Sequence, residues 1–253
     1  MVGRQYMGFF SKPEQIILKE ASDARAYLER LEKLLPQTSG ELNTKLQKEY
    51  VTFLRSLFKS SWTDIVFEAA YLTGILPIKK YGTQSAMTDF REYSMLAPKK
   101  LAEYVGFTEP EVRNLCNQYH MDFEKMKKWY DGYSFNKAKS VYNPNSVMEA
   151  IKSEEFGNYW TQTETYTSLQ FYIDMNEDGL KESITQMLGG ARIKIDTGTF
   201  QNDMTTIKSQ DDVLTLLVHL GYLAYDANDK VVFIPNEEIR EEFVRAVATG
   251  RHM

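Results

Sequence analysis

Trp129-Tyr130-Asp131-Gly132-Tyr133 gathers three aromatic rings around an Asp-Gly turn. Such a group can stack a base or a partner's side chain, which makes Trp129, Tyr130, Asp131 and Tyr133 candidate partner-binding residues. The same residues also suit a helix end pinned into a core. A second candidate, Lys79-Lys80, directly follows a dense apolar run. A lysine at the C-terminal edge of a strand can reach a phosphate in an open sheet, and a solvated surface pair is the alternative.

Other chemistries lack their residues. A phosphate-binding P-loop needs glycine amides around the phosphates and a lysine reaching the terminal ones, and the chain contains no Gly-Lys dipeptide. The Gly-x-Ser-x-Gly elbow of many hydrolases is also missing. His120, His219 and His252 never stand in a His-x-x-x-His spacing, so no metal ligand set and no catalytic residue is assigned. His219 sits on an apolar helical run and reads as a core or interface residue. Asp211-Asp212 and Glu237-Glu238 are neighbours in sequence, but neighbouring helical positions point apart. Both pairs therefore read as N-terminal charge facing a helix dipole. Cys116 lies in the helical run 111–116 and reads as a buried thiol.

The elements that would position these residues carry clear start and stop signals. Ser11-Lys-Pro-Glu14 opens a predicted helix over 11–35, and a second helix over 41–59 makes a leader hairpin with it. Residues 66–78 are densely apolar and end in Thr73-Gly-Ile-Leu-Pro77, which stops a helix, and they read as a short helix followed by a buried strand. Tyr81-Gly-Thr-Gln-Ser85 reads as a loop. Thr108-Glu-Pro-Glu111 is a capping box, Asp122 precedes the amphipathic run 123–130, and Asn143-Pro144 starts the run 146–152. Arg192-Ile-Lys-Ile-Asp196 alternates like a strand. Ser209 caps the helix 213–220, Gly221 ends it, and residues 222–225 and 231–234 form a hairpin before a last helix.

That pattern predicts a mainly α (α+β) protein: a helical array, one short core strand, and a C-terminal winged-helix-like helix, β-hairpin and helix. The expected domains are a leader hairpin at 1–46, a helix and buried strand at 47–85, helices at 86–190 and the winged-helix-like unit at 191–253. Composition fits a folded chain, with 43% hydrophobic, 13% aromatic and 26% charged residues. A net charge of -5 argues against a general polyanion binder. A single cysteine suits a reducing compartment, and no run reaches the ~18 apolar residues of a membrane span. A cytoplasmic protein without a membrane partner is the expectation.

Residues 70–85, Ala-Tyr-Leu-Thr-Gly-Ile-Leu-Pro-Ile-Lys-Lys-Tyr-Gly-Thr-Gln-Ser, open a series of phrases. Gly106-Phe-Thr-Glu, Trp129-Tyr-Asp-Gly-Tyr133, Tyr142-Asn-Pro, Tyr159-Trp-Thr, Phe200-Gln-Asn-Asp203 and His219-Leu-Gly-Tyr-Leu-Ala-Tyr225 follow in order. Over about residues 47–247 the chain resembles the predicted AAA-ATPase-like family, many members of which carry a PD-(D/E)XK nuclease-like domain further on. The resemblance implies a P-loop core first, with Thr73 at a sensor-like place near the nucleotide. It implies that the later helices and winged helix form a lid, and that ATP and magnesium serve the full-length protein. This chain departs from the pattern: no phosphate loop or acidic partner strand precedes residue 47, and it stops before a nuclease-like domain. Residues 7–35 resemble the leader of nuclease-related-domain (NERD) proteins.

Three functions follow as expectations. The first is a truncated, non-catalytic lid and winged-helix portion, with no cofactor of its own, that contacts a separate ATPase core or another protein. The second is a DNA-binding winged helix, although the run 213–220 holds no Arg or Lys to read base edges. The third is a nuclease-associated defence or mobile-element protein.

Overall fold

The computed structural model describes residues 49–50, 52–54, 56–58, 70, 72–74, 80–81, 84–85, 90–135, 138–160, 173, 176–201 and 207–249. They belong to two compact units, one of residues 1–73 and 86–90 and the other of residues 74–85 and 91–253. In the first unit, the described residues of 49–58 are helical, in keeping with the helix read over 41–59. Leu54 is buried, Phe53, Leu57 and Phe58 are half-buried, and Thr52 and Ser56 face solvent. Phe58 meets Phe90 edge to face, with ring centroids 4.9 Å apart. The leader helix at 11–35 lies outside the described residues.

The second unit begins with β1 (Lys80–Tyr81) and β2 (Gln84–Ser85), paired antiparallel. The stretch read as a loop is therefore a hairpin, because Tyr81 pairs with Gln84. A 3-10 helix, Lys99–Tyr104, leads into β3 (Phe107–Thr108), α1 (Glu109–Tyr119) and α2 (Phe123–Tyr130). β4 (Val141–Tyr142) pairs antiparallel with β3, and α3 (Pro144–Ser153) follows it. Next come α4 (Leu180–Leu188), β5 (Ile193–Lys194), α5 (Gln210–His219), β6 (Ala224–Asp226), β7 (Val231–Phe233) and α6 (Glu237–Thr249). The last three strands form one antiparallel sheet in the order β5-β7-β6. The architecture is α+β, with helices and small antiparallel sheets.

Helix starts sit where local chemistry placed them. Thr108 closes a capping box on α1: its backbone N–H and hydroxyl both donate to Glu111, at 2.8 and 2.7 Å. Asp122 accepts from the Lys125 amide at 3.1 Å to cap α2, and Asn143 accepts from the Asn145 amide at 3.0 Å to cap α3. The Asp212 amide donates to Ser209 at 3.2 Å at the start of α5. Each cap satisfies backbone donors that a first helical turn leaves unpaired.

Three clusters of apolar side chains hold this unit together. Val112 and Cys116 of α1, Met126 and Tyr130 of α2, Tyr142, and Val147, Ala150 and Ile151 of α3 make one. Leu180, Ile184 and Met187 of α4 join α5, Val232, and Ile239, Phe243 and Ala246 of α6 in a larger one. A domain boundary at 190 thus falls inside a single hydrophobic cluster, since α4 lies before it and α5 after it. Each large side chain so buried contributes roughly 2 kcal/mol. Tyr133, Val141 and Ala224 belong to a third cluster that includes residues near both others. Among the described residues, no helix is long and apolar enough to cross a membrane.

Candidate functional site

The aromatic phrase at 129–133 turns inward. Tyr130 ends α2 with no solvent exposure, and its hydroxyl donates to the Gly157 carbonyl at 3.0 Å and accepts from the Gly157 amide at 3.2 Å. The buried Tyr133 hydroxyl donates to the Gly221 carbonyl at 2.6 Å. Burial raises both phenols well above their usual range, so both stay neutral donors. Asp131 caps the end of α2, and its side chain accepts from Ser140 while its carbonyl accepts from Asn236 at 2.9 Å. Burial is the largest influence on that carboxyl and pushes it up. Gly132 lies between them at φ +116°, and a Cβ there would stand 2.0 Å from the Pro235 carbonyl oxygen.

This placement corrects the reading of Tyr130, Asp131 and Tyr133 as a stacking surface. A buried ring has no face to give a base or a partner. Trp129 is half-buried and is the member of the group that keeps some exposure. The alternative named with it, a helix end pinned into the core, is what the geometry contains.

The nucleotide candidates fall in different units. Thr73 is exposed, outside regular structure, and belongs to the first unit. Leu72 and Gly74 beside it are exposed too, unlike a buried core strand. Lys79 lies outside the described residues, as do residues 75–78 of the expected strand. Lys80 starts β1 in the second unit, opposite Ser85. No step through a nucleotide is derived from these positions.

Two carboxylates that looked ordinary in the sequence are the most unusual groups in the fold. Glu238 and Glu242 stand one turn apart on α6 and neither side chain reaches solvent. Glu238 Oε2 accepts from the Ser146 hydroxyl of α3 at 2.9 Å, and Oε1 accepts from the Tyr159 amide at 2.9 Å. Asn158 ties the pair together: its side-chain amide donates to Glu242 Oε1 and to the Glu238 carbonyl, the latter at 3.3 Å. Glu242 Oε2 has no hydrogen-bond partner, and the guanidinium of the half-exposed Arg245 lies 3.5 Å from Oε1. Burial pushes the Glu238 carboxyl up to about 7, the hydrogen bonds pulling only partly against it. Glu242 is raised for the same leading reason.

The dipole reading therefore fails for Glu238. Glu237, its neighbour, does behave as a partly exposed helix-start charge, 4.0 Å from both Lys128 and Arg240. Of the other acidic pair, Asp211 accepts from the Asp196 amide at 2.9 Å. Asp212 is buried and accepts from Thr199 and the Lys208 amide. Both fasten the chain after β5 to the start of α5 as well as facing its dipole. His219 is buried against Phe200 with ring centroids 5.9 Å apart.

A cavity of about 370 Å³ lies beside these groups, walled largely by Met95, Val105, Tyr133, Phe135, Trp160 and Leu220. Asn143, Asn145 and His219 supply its polar edge. Trp160 packs over Gly221, whose φ of +83° ends α5, and meets Tyr222 at 5.5 Å. No family model, curated protein or solved structure matches the chain. Among the described residues, no group of three or more His, Cys, Asp or Glu side chains could hold a metal ion.

Proposed function

We propose that this chain corresponds to the lid and winged-helix portion of an AAA-ATPase-like protein and acts by contact with another protein, coupling conformational change without chemistry of its own. The observation that carries this reading is the arrangement of the C-terminal elements. Helix α4, strand β5, helix α5 and the β6–β7 hairpin follow in the order of a winged helix, and the sheet order β5-β7-β6 puts the first strand beside the last. Helix α6 then packs on α4 in the same hydrophobic cluster.

The state of α5 favours a protein partner over DNA. A helix that reads a major groove must expose one face of polar and basic side chains. From Asp212 to His219 every residue of α5 is buried, so no face is offered. The hairpin tip carries Asp226 and Asp229 against Lys230, a poor match for phosphates. The expected partner is a P-loop core of the resembling family.

The test mixes the full chain with such a core supplied separately and reads ATP turnover by the core. A change in turnover that saturates near one chain per core is the expected result, with no heat when the chain alone is titrated with ATP and magnesium. Micromolar ATP binding with turnover by the chain alone would sink the proposal. A salt-dependent mobility shift with duplex DNA would move the assignment to a DNA-binding module.

A further inference from the structure

We propose that Glu238 and Glu242 form a proton-dependent latch: with a proton on the pair, residues 157–160 and α3 are held against α6, and loss of that proton loosens the contact. The geometry carries the argument. Two carboxylates one turn apart are both closed off from solvent, and groups outside α6 bind them: the Ser146 hydroxyl, the Tyr159 and Trp160 amides and the Asn158 side chain. Two negative charges one turn apart on a helix repel, and burial strengthens that repulsion. One carboxylate oxygen, Glu242 Oε2, has no donor to offset its charge.

The contacts accommodate a proton without moving heavy atoms. Protonated at Oε2, Glu238 can donate to the Ser146 oxygen, whose own hydroxyl hydrogen rotates away. Oε1 goes on accepting from the Tyr159 amide. One cation faces the pair, the Arg245 guanidinium 3.5 Å from Glu242 Oε1, and it reaches in from a half-exposed position. From the end of α2 come the Tyr130 and Tyr133 phenols, both held neutral by burial. From α6 come Glu241, which adds negative charge, and Arg245, half-exposed at 51%. Residues 157–160 add the Tyr159 hydroxyl, engaged by Ser153 and the Glu155 carbonyl. The raised carboxyl of Glu238 places the response near neutrality. Because Trp160 is both the end of the latched segment and a wall of the cavity, release would reshape that wall.

For an acid raised on folding, the closed state holds the extra proton, so closure is favoured below the ordinary carboxylate range and lost as pH rises toward about 7. Amide hydrogen exchange of Tyr159 in the full chain, corrected for its intrinsic pH dependence, reads the opening. Between pH 5 and pH 8 the opening constant should rise at least about tenfold and then level off. Glu238→Gln, whose amide nitrogen can donate to Ser146 as the protonated acid does, should show a flat profile. Glu237→Gln, outside the latch, should leave the rise unchanged. A flat wild-type profile overturns the proposal, as does a rise that survives in Glu238→Gln. Should Glu238→Gln not fold, carbon-detected titration of the wild-type glutamate carboxyls decides: one titrating near neutrality supports the latch, and none above the ordinary range overturns it.

Discussion

The turn at 130–133 and the start of α6 bury polar groups side by side, by opposite means. At the turn, Tyr130 and Tyr133 bury neutral hydroxyls and each finds a backbone carbonyl of Gly157 or Gly221. A neutral donor with its acceptor costs little to bury, and the bond contributes on the order of 1 kcal/mol. At α6, Glu238 and Glu242 bury acids whose charged forms are disfavoured there, and one oxygen remains unpartnered. The first arrangement is a rigid rivet and the second depends on pH. The residues that announce themselves in the sequence thus hold the fold, whereas two plain glutamates become buried, raised acids.

The largest effect should break the rivet side. Gly132→Ala puts a Cβ 2.0 Å from the Pro235 carbonyl oxygen at φ +116°, so backbone must move. A loss of about 3 kcal/mol or more is expected in urea unfolding, from strain and overpacking together. A loss under about 1 kcal/mol would show the turn to be loose and the comparison misdrawn.

The next effect tests the acid side. Glu238 rises on folding from an ordinary 4.5 to about 7, so the folded state binds more protons between those values. Stability from this group is full below about pH 4.5 and declines as pH rises to about 7, by roughly 3 kcal/mol at most. Urea unfolding of wild type and Glu238→Gln at pH 5 and pH 8 should therefore give a stability difference that shifts by 1–3 kcal/mol in the variant's favour at pH 8 (about 1.4 kcal/mol per unit). An unchanged difference would return Glu238 to the ordinary carboxylates.

Smaller effects sharpen the contrast. Tyr133→Phe leaves the Gly221 carbonyl without its buried donor and should cost about 1–2 kcal/mol at every pH. A pH-dependent cost would mean that the rivet and the latch are coupled through the nearness of Tyr133 to Glu238. Thr108→Ala removes the capping box of α1 and should cost about 1 kcal/mol in the same urea assay. A markedly larger loss there would mean that α1 governs the whole unit.

Much of the fold was legible because its signals are local. Thr108, Asp122, Asn143 and Ser209 each cap a helix within three residues of themselves, and Gly221 ends α5 in the left-handed region. The hairpin at 224–233 announced itself by two short apolar runs around the acidic turn. The site was less legible. The aromatic phrase at 129–133 carries the same letters whether it faces water or core, and only its partners at Gly157, Gly221 and Pro235 choose between them. Asp212 and Glu238 share the sequence signature of helix-start charge with Asp211 and Glu237, yet one of each pair is buried. Helical periodicity offered a hint for the α6 pair, since 238 and 242 lie on the same side as Ile239, Phe243 and Ala246.

By itself the sequence determined where most described helices begin, which chemistries lack their residues, and that the protein is α+β. Caps, glycines and motif spacings act over a few residues, so they survive without knowledge of what lies opposite. Only the tertiary structure decided which charges lost their water. Glu238 became a raised acid because α3 and residues 157–160 close over α6, and desolvation depends on which distant surfaces meet.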